Sequence, residues 1–278
     1  MDLIEVRETR IARRRNDLTF GAHEVALGGG SWLFSEPQPG IHGLVDLTGL
    51  GWEPIVESPD GGLEIAATCT LAELRRMPRH PARPADALFA PAVDALLGSW
   101  KVHNVATVGG NVCLALPAGP MTSLTAALDG VAVIWMPGGG ERRLPVTEFV
   151  LGVRRTALRP GEVLRAIELP AVALAARVAM RRIALSELGR SAAFVIARVD
   201  AGGEFVVTIT AATPRPYQLR FARMPGDREL AHAVSAIDDW HDDAHGAPDW
   251  RRAMTLRFAE ELRNELTTRS VARDGATP

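Results

Sequence analysis

The chain has 278 residues, of which 47% are apolar and 23% charged, with a formal net charge of −2. That length is enough to bury a substantial core, while the charge balance argues against a nucleic-acid partner, which would need a basic face. The same lack of a basic excess means that any phosphate site must lean on backbone amides, and with only two cysteines, Cys69 and Cys113, a four-thiolate iron–sulfur cluster has no place on this chain.

In chain order, the N-terminus is charged where a secretory leader would be apolar, which predicts a cytoplasmic protein. Arg7–Phe20 reads as a short basic helix or arm with a solvated arginine face. Glu24–Leu27 reads as a strand running into Gly28-Gly29-Gly30-Ser31-Trp32-Leu33. Without Cβ atoms, such a loop can bring successive N–H groups close to an anion. Strands are predicted next at Gly43–Leu47 and Leu63–Ala67. Thr70 and Glu73 form a capping box that opens a helix. A second helix runs through Phe89, Val93, Leu96 and Leu97 and stops at Gly98. Then comes His103–Asn111, HNVATVGGN, a short β-branched run that enters Gly109 and Gly110. Thr107 and Asn111 beside them supply a hydroxyl and an amide for sugar or phosphate oxygens. Each glycine bend alone reads equally well as a tight turn. As a pair, they suit one extended phosphate-bearing ligand gripped from two sides.

A loop then leads to a helix whose N-terminus, near the second bend, favours anions. The longest apolar stretch, Leu124–Met136, carries Asp129 and is too short to span a bilayer. Val131–Trp135 reads as a strand and Pro137–Glu141 as a surface hairpin turn. Pro170 marks a boundary between residues 1–170 and residues 171–278. Beyond it, strands are predicted at Ala175–Leu185, Ala192–Val199 and Glu204–Ala212, with Phe205, Val207 and Ile209 on one face. Two helices follow, the last carrying Trp250, Met254, Phe258, Leu262 and Leu266 at spacing four. This order of strands and then helices makes a small α+β domain. Asp238, Asp239, His241, Asp242, Asp243 and His245 read as a solvated acidic loop ahead of that helix, although two imidazoles among carboxylates also fit a metal site. Cys69 and Cys113 read as packing residues.

These strings resemble the FAD-binding (medium) subunit of the molybdenum hydroxylases, the family of xanthine dehydrogenase and carbon monoxide dehydrogenase. That family's first flavin loop reads Ala-Gly-Gly-Thr-Asp-Leu, against GGGSWL here. Its second reads Arg-Asn-x-Ala-Thr-Ile-Gly-Gly-Asn, against HNVATVGGN. TALRPGEVLRAIELP, ITAATPRPYQLR and DAHGAPDWRRAM extend the resemblance over nearly the whole chain. It implies an α+β protein, with a two-subdomain FAD-binding fold of the PCMH type over 1–170. A small C-terminal α+β domain with an antiparallel sheet and helices would fill 171–278.

The resemblance also implies a site. Leu27, Gly28, Gly29, Gly30, Ser31, Trp32 and Leu33 would form the first FAD loop, and Thr107, Gly109, Gly110 and Asn111 the second. Leu97 stands where some members stack an aromatic ring, Leu158 would cover a flavin face, and Arg182 would lie near the flavin's electron-rich edge. Pro120 replaces an aspartate that bonds flavin hydroxyls in the family. No catalytic acid–base set and no metal are implied on this chain, because the cofactor carries the chemistry. The implied role is electron transfer within a heterotrimer: from [2Fe–2S] clusters on a small iron–sulfur subunit, through FAD, to NAD or another acceptor. A large molybdopterin-binding subunit would hold the molybdenum cofactor. A free-standing FAD oxidase and an assembly subunit that has lost FAD are the alternatives. A Rossmann enzyme is disfavoured, because no Gly-x-Gly-x-x-Gly stands before a helix.

Overall fold

The computed structural model describes residues 3–274. Strands β1 (Glu8–Ile11), β2 (Glu24–Leu27) and β3 (Gly43–Asp46) form a parallel sheet in the order β1-β3-β2. Of the basic helix or arm expected over Arg7–Phe20, the helix is therefore corrected to a strand and a single 3-10 turn at Arg15–Asp17. Two local causes favour this. Thr9 and Ile11 suit a pleated strand, and the Asp17 carboxylate accepts the Arg13 and Arg14 amides at 2.9 and 3.1 Å, closing the turn. Parallel neighbours need a long crossover. The one from β2 to β3 begins with the GGGSWL loop, at the carboxyl end of β2 where ligands gather in such sheets.

The second sheet is antiparallel, in the order β4-β5-β10-β6-β7. Its strands are β4 (Ile55–Glu57), β5 (Leu63–Ala66), β6 (Val131–Trp135), β7 (Glu141–Pro145) and β10 (Val163–Leu169), with a small ribbon β8 (Val150–Gly152) and β9 (Arg155–Thr156) between the last two. Helices α1 (Leu71–Arg76), α2 (Phe89–Asp94), α3 (Trp100–His103), α4 (Val108–Leu114), α5 (Pro120–Ala127), α6 (Val146–Phe149) and α7 (Ala171–Leu174) belong to this part of the chain. The capping box of α1 forms as expected: Thr70 Oγ1 accepts the Glu73 amide at 3.2 Å and Glu73 Oε2 accepts the Thr70 amide at 2.7 Å. The β6–β7 hairpin also forms, its turn lying at Met136–Gly140. Helix α2 stops earlier than expected, at Asp94, which leaves Leu97 57% exposed.

The run ahead of Gly109 is not a strand. Thr107 is the N-cap of α4, its Oγ1 accepting the Gly110 amide at 3.0 Å, so both glycines sit in the first helical turn. A capping hydroxyl decides the local structure over β-branching.

Beyond Pro170, β11 (Arg177–Ile183), β12 (Ala193–Val199), β13 (Phe205–Thr210) and β14 (Tyr217–Phe221) form an antiparallel meander, followed by α8 (Asp227–Ser235) and α9 (Pro248–Asp274). Phe205, Val207 and Ile209 pack with Phe258, Leu262 and Leu266 of α9, as their spacing predicted. The opposite face, with Val206, Thr208 and Thr210, is buried too, because α5 lies against β12 and β13. Ser123 of α5 and Thr210 share a buried hydrogen bond of 2.5 Å between their hydroxyls. This contact explains why all eight residues of α5 are buried. Strand β14 was not anticipated, since Pro214 and Pro216 mask its short alternation of Tyr217, Leu219 and Phe221.

A buried ionic network joins the C-terminal sheet to the turn between α5 and β6. Arg198 on β12, 2% exposed, pairs with Asp129 and with Asp200 (2.9 Å), and Asp129 also receives Arg220 and the Gln218 amide (3.0 Å). Both cysteines are free thiols, and burial pushes each up to about 12. Cys69, 0% exposed, should not react with a thiol reagent at neutral pH until the chain unfolds, whereas Cys113 is only half-buried. Dithionitrobenzoate titration of native and denatured protein checks this: the Cys69 thiol should appear only after denaturant is added. No helix among the described residues is long and apolar enough to cross a membrane.

Candidate functional site

The two glycine segments meet in space. Gly29 lies so close to the second segment that a Cβ there would fall on the Val105 carbonyl oxygen, and a Cβ on Gly28 would stand 2.9 Å from Thr107 Oγ1. Close backbone approach of this kind is what glycine permits and every other residue blocks. Gly30 has φ +70° and starts a tight turn in which the Phe34 amide donates to the Gly30 carbonyl at 2.9 Å. Leu27, at the end of β2, is buried beneath this turn.

One cavity of about 750 Å³ lies between these segments and the C-terminal sheet. Among the expected site residues, Gly28, Gly29, Gly30, Ser31, Trp32, Leu33, Leu97, Thr107, Gly110 and Asn111 line it. The amides of Gly28 through Trp32 donate to no acceptor among the described residues. A loop of undirected N–H groups facing a cavity is an anion cradle.

The second segment works differently from expectation. Its Val108 and Gly109 amides donate to the Cys69 and Ala67 carbonyls at 2.8 and 3.0 Å, and Gly110 donates to Thr107 Oγ1. None of these three is free for phosphate. Gly109 is not in the cavity lining, because it packs on β5's end, where a Cβ would come within 2.7 Å of the Ala67 carbonyl oxygen. What this segment offers the cavity is the Thr107 hydroxyl, the bare Cα of Gly110 and the Asn111 side chain. Asn111 Oδ1 accepts the Met121 amide at 3.0 Å, so it caps α5 and removes that helix end as an anion site. Thr107→Ala should lose its helix cap, at about 1 kcal/mol of stability, which urea unfolding of the two proteins would measure.

Three other expected residues stand elsewhere. Pro120 opens α5 and is buried. Leu158 packs against the main core. Arg182 donates to the Gly189 carbonyl at 3.1 Å, holding the β11–β12 turn instead of facing the cavity. That turn nonetheless delivers two cavity residues, Arg190 and Ser191.

The same wall carries His241, Asp243, His245 and Arg251, three of which had read as an acidic, solvated loop and its surroundings. Arg251 is 1% exposed and donates to the Ala192 and Gly246 carbonyls at 2.8 Å, to the Ala211 carbonyl and to Asp243. Burial pushes the Asp243 carboxyl up, but the His245 amide and the Arg251 charge outweigh it and hold it below its ordinary range. Asp243 in turn holds His241 Nε2 at 3.1 Å. Ala211, with φ +63°, donates its amide to the Pro117 carbonyl at 2.8 Å, which ties this wall to the loop after α4. No group of three or more His, Cys, Asp or Glu among the described residues is placed to hold a metal ion.

A mixed fold of three sheets and a two-stranded ribbon, with a glycine cradle between a parallel sheet and a helix-backed antiparallel one, suits a dinucleotide-binding domain in which main chain replaces a basic cluster. Residues 18–172 match the family described as FAD binding domain in molybdopterin dehydrogenase, and the chain belongs to that family of oxidoreductase flavoproteins. A xanthine dehydrogenase of Oryza sativa is 30% identical over 117 residues, which is 40% of this chain but 8% of that protein's length. The chain thus corresponds to a small part of such enzymes. It is 26% identical to Escherichia coli XdhB, named as a xanthine dehydrogenase FAD-binding subunit, over 84% of this chain and 81% of that one. Its fold is shared with a chain of carbon monoxide dehydrogenase from Hydrogenophaga pseudoflava, at TM-score 0.78 and 21% identity over 93% of this chain and 96% of the other.

The residues present fit FAD. An extended diphosphate suits the free amides of Gly28–Trp32, and the missing side chains at Gly28 and Gly110 leave room beside it. Two buried polar atoms on the cavity lining, Trp32 Nε1 and Ser191 Oγ, have no partner among the described residues.

Proposed function

We propose that this chain is the flavin-bearing electron-transfer subunit of a heterotrimeric molybdenum hydroxylase in the cytoplasm. The observation that carries the reading is the cavity with an open row of amides on one wall and Thr107, Gly110 and Asn111 beside it. FAD, when bound, supplies exchange between single-electron and two-electron carriers. The chain's own residues bind and orient it. Amides of Gly28–Trp32 hold the diphosphate, Thr107 and Asn111 reach ribityl or phosphate oxygens, and Leu96, Leu97 and Val102 exclude water from a ring face. With two cysteines this chain houses no cluster, so electrons arrive from [2Fe–2S] centres on a small partner subunit. The large partner subunit holds the molybdenum cofactor, and NAD or another acceptor takes the electrons. Phe34, Leu97 and Val105, on the segments that form the cavity, are 46%, 57% and 46% exposed, a patch suited to a protein partner.

Affinity purification of the tagged chain from its native host tests this. Co-purification of a molybdopterin protein and an iron–sulfur protein, with flavin bleaching on substrate addition and recovery with an acceptor, is the expected result. A yellow chain that comes alone and is reduced directly by a small substrate would favour a free-standing oxidase instead.

A further inference from the structure

We infer that Ser191 and His241 bind the cofactor directly, receiving the polar, pyrimidine edge of the flavin ring on the cavity wall contributed by the C-terminal sheet. This rests on the FAD reading above and extends it to residues that neither glycine segment contains. Ser191 is 2% exposed, lines the cavity, and its hydroxyl has no partner among the described residues. A buried hydroxyl left unpaired is costly, and native structures retain few of them without a ligand or water to satisfy them.

His241 is presented with equal definition. Its amide donates to the Ala212 carbonyl at 2.9 Å, and its Nε2 lies 3.1 Å from Asp243 Oδ2. Asp243 is fixed by buried Arg251, whose guanidinium also holds the Ala192 carbonyl, one residue from Ser191. The ring is thus oriented by its Nε2 contact, and Nδ1 has no partner among the described residues. An unpaired hydroxyl and an unpaired imidazole nitrogen therefore stand on one wall braced by a single arginine, with Arg190 lining the same wall.

The chemistry of that wall selects one end of the dinucleotide. The flavin ring has a single polar edge, alternating carbonyl acceptors with an N–H donor, and this edge gains negative charge on reduction. A hydroxyl that both donates and accepts, an imidazole and a nearby guanidinium match it, and cationic neighbours favour the charged form. Adenine gains no charge, and the apolar side chains of Leu96, Leu97, Val102 and Ala106 suit its flat face.

The test compares Ser191→Ala and His241→Ala with the unmodified full chain, each freed of flavin and titrated with FAD and, separately, with ADP. Each substitution should weaken FAD about tenfold, the loss of one hydrogen bond to a charged or buried partner. ADP affinity should stay the same, and the midpoint potential of the bound flavin should become more negative. His241→Gln should recover part of the loss. Equal weakening of FAD and ADP would overturn the inference, since the wall would then hold the adenine end. Unchanged FAD affinity and potential in both variants would overturn it as well, while leaving the FAD reading intact. An unmodified chain that takes up no FAD would remove that reading, and this one with it.

Discussion

Gly29→Val should yield a folded chain that has lost its FAD. The new Cβ would coincide with the Val105 carbonyl oxygen, so the first loop must withdraw from the segment leading to Thr107. Overpacking of this kind costs about 1–3 kcal/mol, and here the strain is relieved by moving the loop that carries the free amides. The result is a ten- to hundredfold loss of affinity or more. The loop is a surface crossover between β2 and β3, so the cores beneath both sheets are untouched and far-ultraviolet circular dichroism should be unchanged. Gly28→Ala is the graded control. Its Cβ would meet only the Thr107 hydroxyl, at 2.9 Å, which can rotate away, and flavin content should fall only partly. If Gly29→Val kept full flavin content, the contact between the two segments would have no part in binding.

The second large effect is on stability. Arg198→Met should cost about 3–5 kcal/mol, because it leaves the buried Asp200 carboxylate, and one oxygen of half-buried Asp129, beside a neutral side chain. For a chain of this size that is roughly 10 °C in melting temperature. The pH dependence has a defined sign. Burial pushes Asp129 up, but Arg198, Gln218 and Arg220 together hold it below its ordinary value of 3.8. In the wild type Asp129 therefore contributes stability at neutral pH that is lost as pH falls through its lowered folded value. Without Arg198 that depression is largely gone, so protonation relieves the variant's penalty. The gap between the two proteins should be widest near pH 7 and should narrow in acid. Asp129→Asn combined with Arg198→Met should recover much of the loss, whereas two independent sites would show additive costs. Denaturant midpoints across pH check both statements.

The first glycine loop was legible as a bend because three consecutive glycines follow a strand, although a tight turn and an anion cradle read equally well from the residues alone. The α9 stripe was legible because its partner is a sheet face, and helical periodicity records burial directly. The β13 alternation was informative about faces but silent on the fact that both are covered, since Val206, Thr208 and Thr210 suit either solvent or the small residues of α5. The second segment misled in one respect. Glycines that pack on Ala67 and lie in a capped turn look the same in sequence as glycines that bind phosphate. Arg182 was close to the site in the chain but on the wrong side of a hairpin, and the next turn brings Ser191 instead.

The C-terminal wall was not legible at all. His241, Asp243 and Arg251 are polar residues in and after an acidic loop, and nothing local to them reports that Arg251 is buried. Their role depends on Ala211 and Ala212, two strands away, and on Pro117 in another layer. Only the assembled fold brings these together. The signal that was available lay in Arg251 itself, an arginine next to Trp250 at the start of an otherwise regular amphipathic helix.

The most direct measurement is a fluorescence titration of the flavin-free chain with FAD. Main-chain amides from Gly28 to Trp32, kept unengaged beside Thr107, should capture one FAD per chain with saturable quenching, and the Gly29→Val chain should give no such curve. Flavin emission that stays unchanged with the unmodified chain in excess would contradict the account at its root.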